Sequence, residues 1–176
     1  YEANRAWNLK KIALCYRFLK KYDDSLKYYF EAEKLQPDNL YILTYIGHSY
    51  LDMKDHENAL KYYFKVEFLA IENHKVWRPI AWCSFVLGKF ENAKKYYEKL
   101  IEDQANKYDF MNMGHVEWCM GDQQAAIKNY KLSINRGDNN YKSFLAGFEE
   151  DKLYLVKNGI QESDIPLLLD YLKYQL

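Results

Sequence analysis

The feature that most constrains this chain is a recurrence of about 34 residues. Leu9, Ile12, Ala13 and Tyr16 share one face of a helix, at spacings of three, one and three. After Lys20-Lys21-Tyr22-Asp23 a second helical pattern carries Ser25, Tyr29 and Ala32, and Pro37 closes it. A shift of 34 gives Leu43, Ile46, Gly47 and Tyr50, then Ala59, Tyr63 and Val66. A further 34 gives Trp77, Ile80 and Ala81, then Ala93, Tyr97 and Leu100. A shift of 33 gives Phe110, Met113 and Gly114, then Ala126, Tyr130 and Ser133. Each unit is too short to bury its apolar face alone, so the chain must stack its units.

Small residues mark where paired backbones come close: Ala13, Gly47, Ala81 and Gly114 on the first helices, Ser25, Ala59, Ala93 and Ala126 on the second. Gly88 and Gly121 fall where a first helix should end, as C-terminal caps do. The pattern resembles the tetratricopeptide repeat, a helix–turn–helix unit of 34 residues. That resemblance implies an all-α, right-handed α-solenoid of four hairpins, at about 6–39, 40–73, 74–106 and 107–140. Three positions depart from it. Pro37 has no counterpart in the second and third repeats, Ser84 and Glu117 replace Tyr16 and Tyr50, and Pro79 falls inside a first helix unless that helix starts late, near Val76.

Residues 141–176 do not continue the pattern and read as helices over about 141–157 and 163–175, forming a C-terminal cap. Asn158-Gly159 breaks them, and Ser163 is a candidate N-cap ahead of Asp164 and Pro166. The last helix is apolar on more than one side (Ile165, Leu167, Leu168, Leu169, Tyr171, Leu172), which suits a cover for the array's end or a contact between two copies.

Composition excludes several classes. The 176 residues are 49% hydrophobic, with mean hydropathy −0.56 and no apolar run long enough to span a bilayer, so no membrane insertion is expected. Basic and acidic residues number 25 each, whereas a nucleic-acid binder normally carries a basic excess. The local excess of Arg5, Lys10, Lys11, Arg17, Lys20 and Lys21 reads as a solvated helix face. Cys15, Cys83 and Cys119 form no CxxC pair, which points to neither zinc nor disulfides and to a reducing, cytoplasmic setting; Cys15 and Cys83, two periods apart, read as equivalent packing residues. The chain opens at Tyr1 rather than Met, so its native start is expected upstream and targeting is left open. Nucleophile-elbow, zincin and phosphate-loop motifs are absent, and neither enzyme activity nor a cofactor is expected.

A second stripe on each first helix is the candidate site. With Leu9 at zero on a helical wheel, Trp7, Lys10, Leu14, Arg17 and Phe18 fall at roughly 80° to 180°, away from the core stripe. The same offsets select Tyr41, Thr44, His48, Leu51 and Asp52, then Lys75, Arg78, Trp82, Phe85 and Val86, then Tyr108, Met111, His115, Trp118 and Cys119. In tetratricopeptide arrays this face lines the concave groove, so the resemblance assigns partner binding to Trp7, Lys10, Leu14, Tyr41, Thr44, His48, Lys75, Arg78, Trp82, Tyr108, Met111 and His115. Arg17, Leu51, Phe85 and Trp118, late in their helices, are divided between groove and core. Aromatic and cationic side chains are frequent anchors of protein contacts. The two-Lys, two-Asn, one-Arg clamp that some family members use on C-terminal carboxylates is not expected. Lys10 and Lys75 match it, but Leu14, Tyr45 and Pro79 do not. The expected function is a protein-interaction adaptor that holds a protein or peptide segment. The alternatives are a self-associating module that dimerises through the last helix and, third, an RNA-binding helical repeat.

Overall fold

The computed structural model describes residues 2–71 and 73–174, together with the backbone alone at Ala3. Those residues form ten helices and no strand: α1 (Glu2–Phe18), α2 (Tyr22–Leu35), α3 (Leu40–Asp52), α4 (His56–Leu69), α5 (His74–Val86), α6 (Phe90–Asp103), α7 (Lys107–Cys119), α8 (Gln123–Arg136), α9 (Tyr141–Lys157) and α10 (Asp164–Tyr174). The expected end of the last helix at 175 lies outside the described residues. The all-α class and the four hairpins match the expectation from the recurrence, and α1 begins some four residues earlier than expected. Two compact units divide the chain, Tyr1–Cys83 and Ser84–Leu176, with the boundary inside α5.

The turn within each hairpin is the same device four times. The second residue after the first helix is left-handed: Lys20 (φ 57°), Lys54 (φ 61°), Gly88 (φ 71°) and Gly121 (φ 88°). Its N–H reaches back three residues, and the next N–H reaches back five: Lys21 to Tyr16 O (2.9 Å), Asp55 to Tyr50 O (2.9 Å), Lys89 to Ser84 O (2.8 Å) and Asp122 to Glu117 O (2.9 Å). This is the Schellman closure, which satisfies carbonyls that the helix end would leave open. Helix starts are capped by side chains that accept from the first turn: Asn39 in α3, Asp55 in α4, Asp122 in α8, Asn140 in α9, and Asn106 with Asp109 as a full capping box in α7.

Pro79 lies inside α5, which starts at His74 rather than near Val76, so the helix forgoes the N–H that would bond Lys75 O. The two replaced tyrosines are explained by exchanged partners. Tyr16 stacks on Tyr28 at 5.4 Å and Tyr50 on Tyr62 at 5.9 Å, while Ser84 Oγ accepts from Asn92 Nδ2 at 2.7 Å and Glu117 Oε2 from Asn129 Nδ2 at 2.7 Å. In the fourth repeat Asn129 stands at the register of Tyr28 and Tyr62, so an aromatic pair has become a polar one; in the third, Tyr96 keeps that register and Asn92 bonds Ser84 from one turn earlier.

In the N-terminal unit Leu9, Ala13, Leu26, Tyr29, Ala32, Ile42 and Ile46 form the core. The small residues permit backbone approach: Ser25 Oγ donates to Ala13 O at 2.8 Å, and Ala59 is fully buried. Ala93 is equally buried in the C-terminal unit. Ile12 departs from the expected core, being 40% exposed where its equivalents Ile46, Ile80 and Met113 are buried; Cys15 is likewise exposed and Cys83 buried. The reason is position, because among the described residues no helix precedes α1 to cover that side. In the C-terminal unit α10 buries Ile165, Leu168, Leu169 and Leu172, and Tyr141 Oη donates to Leu169 O at 2.8 Å.

Candidate partner-binding face

In the N-terminal unit the second stripe of α1 and α3 forms a connected set of cations and rings. Lys10 Nζ stands 4.3 Å from the centre of the Tyr41 ring. Tyr41, one helical turn before Tyr45, stacks on it at 4.3 Å. The Arg17 guanidinium lies 5.7 Å from the Tyr45 ring, and its Nε donates to Asp52 Oδ2 at 2.6 Å. Such cation–ring contacts hold long side chains in place at modest energy. Trp7 is 55% exposed and Tyr41 37%, while Lys10, Leu14, Thr44 and His48 are half-buried. On α5, Lys75 and Arg78 are exposed and Trp82 is half-buried.

His48 is the stripe's inward anchor. Its Nδ1 hydrogen-bonds Tyr63 Oη at 2.7 Å, beneath Gly47. A Cβ on Gly47 would come within 2.6 Å of the Tyr63 ring, so the glycine is what lets that ring reach the histidine. Burial, reinforced by Arg17 and opposed by Asp52, brings the His48 pKa down from 6.5 to about 4. His48 is therefore neutral near pH 7, and the positive charge of this face comes from the lysines and arginines.

The C-terminal unit repeats this arrangement and then covers it. His115 Nδ1 hydrogen-bonds Tyr130 Oη at 2.9 Å, and a Cβ on Gly114 would meet the Tyr130 ring at 2.5 Å. Yet His115 is fully buried and Met111 is 3% exposed. Neither lines an open groove, which corrects the sequence expectation; of the three, only Tyr108 stays open, at 48%. The cover is α9. Phe148 meets His115 edge-to-face at 5.0 Å and Tyr130 at 5.6 Å, Phe144 lies 5.8 Å from Tyr130, and Asp151 Oδ2 is 3.5 Å from His115 Nε2. Gly147 admits Met111, whose Cε would stand 3.2 Å from an added Cβ. Asn158 Nδ2 donates to Phe85 O at 2.9 Å, which ties the far end of α9 to the end of α5. Phe85 stacks on His115 at 5.9 Å and Trp118 meets Tyr130 at 6.5 Å; both are core.

Residues 141–157 thus carry a signal that the sequence reading passed over. Gly147 and Phe148 stand 33 residues after Gly114 and His115, so α9 keeps the first-helix register. It turns the stripe of that register inward against α7. Tyr45 was passed over as a site residue too, although its place four residues after Tyr41 marks it.

Burial pushes the Cys83 and Cys119 thiols up to about 12, which suits packing rather than nucleophilic chemistry. Among the described residues no group of His, Cys, Asp and Glu is arranged to hold a metal ion, and no helix is long and apolar enough to cross a membrane.

Comparison with known proteins agrees with the geometry. Residues 11–39, 42–66 and 80–102 match the tetratricopeptide repeat family model. No curated protein sequence matches the chain. Among solved structures, a MamA protein superposes with a TM-score of 0.74 at 18% identity, covering 89% of this chain and 88% of its own. The first TPR of Spaghetti (RPAP3), solved bound to the HSP90 peptide SRMEEVD, superposes at 0.62 with 23% identity over 67% of this chain and 94% of its own. The Sgt2 TPR domain from Aspergillus fumigatus gives 0.59 at 19% identity over 68% and 81%. Three matched repeats, four identical hairpin turns and these shared folds make one case: the chain belongs to the tetratricopeptide-repeat family.

Proposed function

We propose that the protein is an interaction module that holds a segment of another protein on the second stripe of its N-terminal unit, along Trp7, Lys10, Leu14, Tyr41, Thr44 and His48 and on through Lys75, Arg78 and Trp82. The observation that carries this reading is the ladder of Lys10, Tyr41, Tyr45 and Arg17. Exposed faces without a binding role usually carry Glu, Lys and Gln; this one holds rings pre-stacked by cations. Little side-chain entropy then remains to be lost when a partner docks. The peptide held by the RPAP3 repeat is acidic, and a mildly basic aromatic face suits a segment with apolar anchors and some negative charge. The clamp residues are replaced here, with Tyr45 in the Tyr41 stack, so a terminal carboxylate is not the recognised group.

The test is site-specific photo-crosslinking in the source cells. A photoreactive residue at 7 or 44 should capture a partner that one at Lys27, on the exposed side of α2, does not. Tyr41→Ala should weaken binding of the captured partner by about 2 kcal/mol while leaving the thermal midpoint nearly unchanged. Equal capture from position 27, or a Tyr41→Ala variant that binds as well as wild type, would sink this reading.

One observation favours a second reading. Leu167, Tyr171 and Tyr174, at helical spacing on α10, are 69%, 46% and 82% exposed beside the buried stripe of the same helix. That outer stripe suits pairing of two copies, which the oligomeric state of a Leu167→Glu, Tyr171→Glu variant would reveal.

A further inference from the structure

In the C-terminal unit two cations beside Tyr108 stand outside the recurrence. Lys107 falls at the register of Ala6, Leu40 and His74, and Arg136 at that of Leu35, Leu69 and Asp103, so the packing of the repeat demands neither charge. Both are nevertheless held in place, and by neutral groups. Lys107 Nζ donates to Ser143 Oγ at 2.9 Å and lies 5.1 Å from the centre of the Tyr108 ring. Gly137 makes the path for this side chain, since a Cβ there would stand 3.2 Å from Lys107 Cδ. Arg136 Nη1 donates to Ala105 O at 3.4 Å, with the guanidinium 4.8 Å from the Phe110 ring. Among the described residues no carboxylate forms an ion pair with either cation, whereas Arg17, Lys65, Lys94 and Lys152 each have one. Lys107 and Arg136 line one open groove of about 400 Å³ with Ala105, Asn106 and Tyr108.

We propose that this groove binds an acidic residue of a partner polypeptide, with its carboxylate between Lys107 and Arg136 and the neighbouring apolar side chain against Tyr108. The site lies in the C-terminal unit and does not rest on the N-terminal face proposed above. Cations already fixed lose little side-chain freedom when an anion arrives, and charge-assisted bonds from arginine to a carboxylate are among the stronger ones. The first-turn N–H groups of Tyr108 and Asp109 already donate to Asn106 Oδ1, at 2.8 and 3.2 Å, so the anion is left to the side chains. Tyr108 stays 48% exposed although Met111 and His115, on the same stripe, are buried. A groove open to solvent suits a passing segment of chain rather than an enclosed small molecule.

The probe is a capped hexapeptide, Gly-Asp-Phe-Asp-Phe-Gly, titrated into the full chain at low salt and followed by NMR at the Tyr108 ring and the Arg136 Nε–H. Both signals should shift saturably. Arg136→Gln or Lys107→Met in the protein, or asparagine for aspartate in the peptide, should each weaken binding roughly tenfold. Arg136 is exposed, so its variant should keep the wild-type thermal midpoint. Glycine for phenylalanine in the peptide should weaken binding to the wild type and not to Tyr108→Ala. Tyr41→Ala, in the other unit, should leave binding unchanged. No saturable shift, equal binding of the asparagine peptide, or loss with Tyr41→Ala but not with Arg136→Gln would each overturn the proposal. So would inorganic phosphate that binds as tightly as the peptide, because the groove would then be an unspecific anion site.

Discussion

Tyr29 and Tyr63 occupy the same place in successive repeats, both fully buried, and differ in what meets the hydroxyl. Tyr63 Oη bonds His48, whereas the first repeat has Leu14 at that register and Tyr29 Oη has no hydrogen-bond partner among the described residues. Tyr63→Phe should therefore destabilise by about 1–3 kcal/mol, because it strands a buried imidazole nitrogen, while Tyr29→Phe should be neutral or slightly stabilising. Urea midpoints of the two variants measure the contrast, and equal shifts would count against the assigned hydrogen bond. His48 gives a pH signature as well. Its folded pKa, about 4, lies below the ordinary 6.5, so between those values the unfolded chain binds the extra proton. Its contribution is complete above pH 6.5, falls as the pH drops toward 4, and amounts to at most roughly 3 kcal/mol. His48→Gln should flatten that part of the stability profile between pH 7 and 4.5, as read by urea midpoints. The sequence placed His48 on the stripe correctly, but the lost charge follows from burial and from Arg17, which no residue pattern displays.

The four hairpin turns isolate the cost of a backbone conformation. All four use a left-handed residue, yet two are lysines, Lys20 and Lys54. Side chains with a Cβ lose about 1–2 kcal/mol there relative to glycine, partly offset by glycine's greater entropy in the unfolded chain. Lys54→Gly should thus stabilise by about 0.5–1 kcal/mol. Gly121→Ala, where an added Cβ meets nothing within 4 Å, should destabilise by about 1–2 kcal/mol through backbone strain alone. Thermal unfolding of both variants tests this, and a stabilising Gly121→Ala would contradict the assigned conformation. At this scale the sequence was informative where the recurrence governs. Gly88 and Gly121 announced two of the turns, Pro37 the end of α2, and the paired small residues the helix contacts, with Ala59 and Ala93 buried as expected. It was silent where the same geometry is reached by a less suited residue, as at Lys20 and Lys54. It was also silent where one helix is rotated, since α9 keeps the register of Gly114 and His115 but turns that face inward.

Over the whole molecule, the groove stripe of the repeats has two fates. In the N-terminal unit its aromatics and cations remain partly open, and in the C-terminal unit α9 packs over Met111 and His115. A hydrophobic pattern reports which residues seek cover but not which segment supplies it, and so Met111 and His115 read as groove when they are core. The consequence falls on the C-terminus. Residues 160–176 carry four buried side chains of α10, Ile165, Leu168, Leu169 and Leu172, and the carbonyl that accepts from Tyr141. Deleting them should expose the apolar surface beneath, lower the thermal midpoint and promote aggregation, because the end of a repeat array needs a polar cover. The outer stripe of the same helix offers the control. Leu167→Glu with Tyr171→Glu leaves the buried side intact, so it should hold stability within about 0.5 kcal/mol. Light scattering and thermal melts of the truncated and doubly substituted chains distinguish the roles. A truncated chain that stays soluble and equally stable, beside a double variant that turns a dimer into a monomer, would make α10 an interface between copies and leave α9 as the true end of the fold.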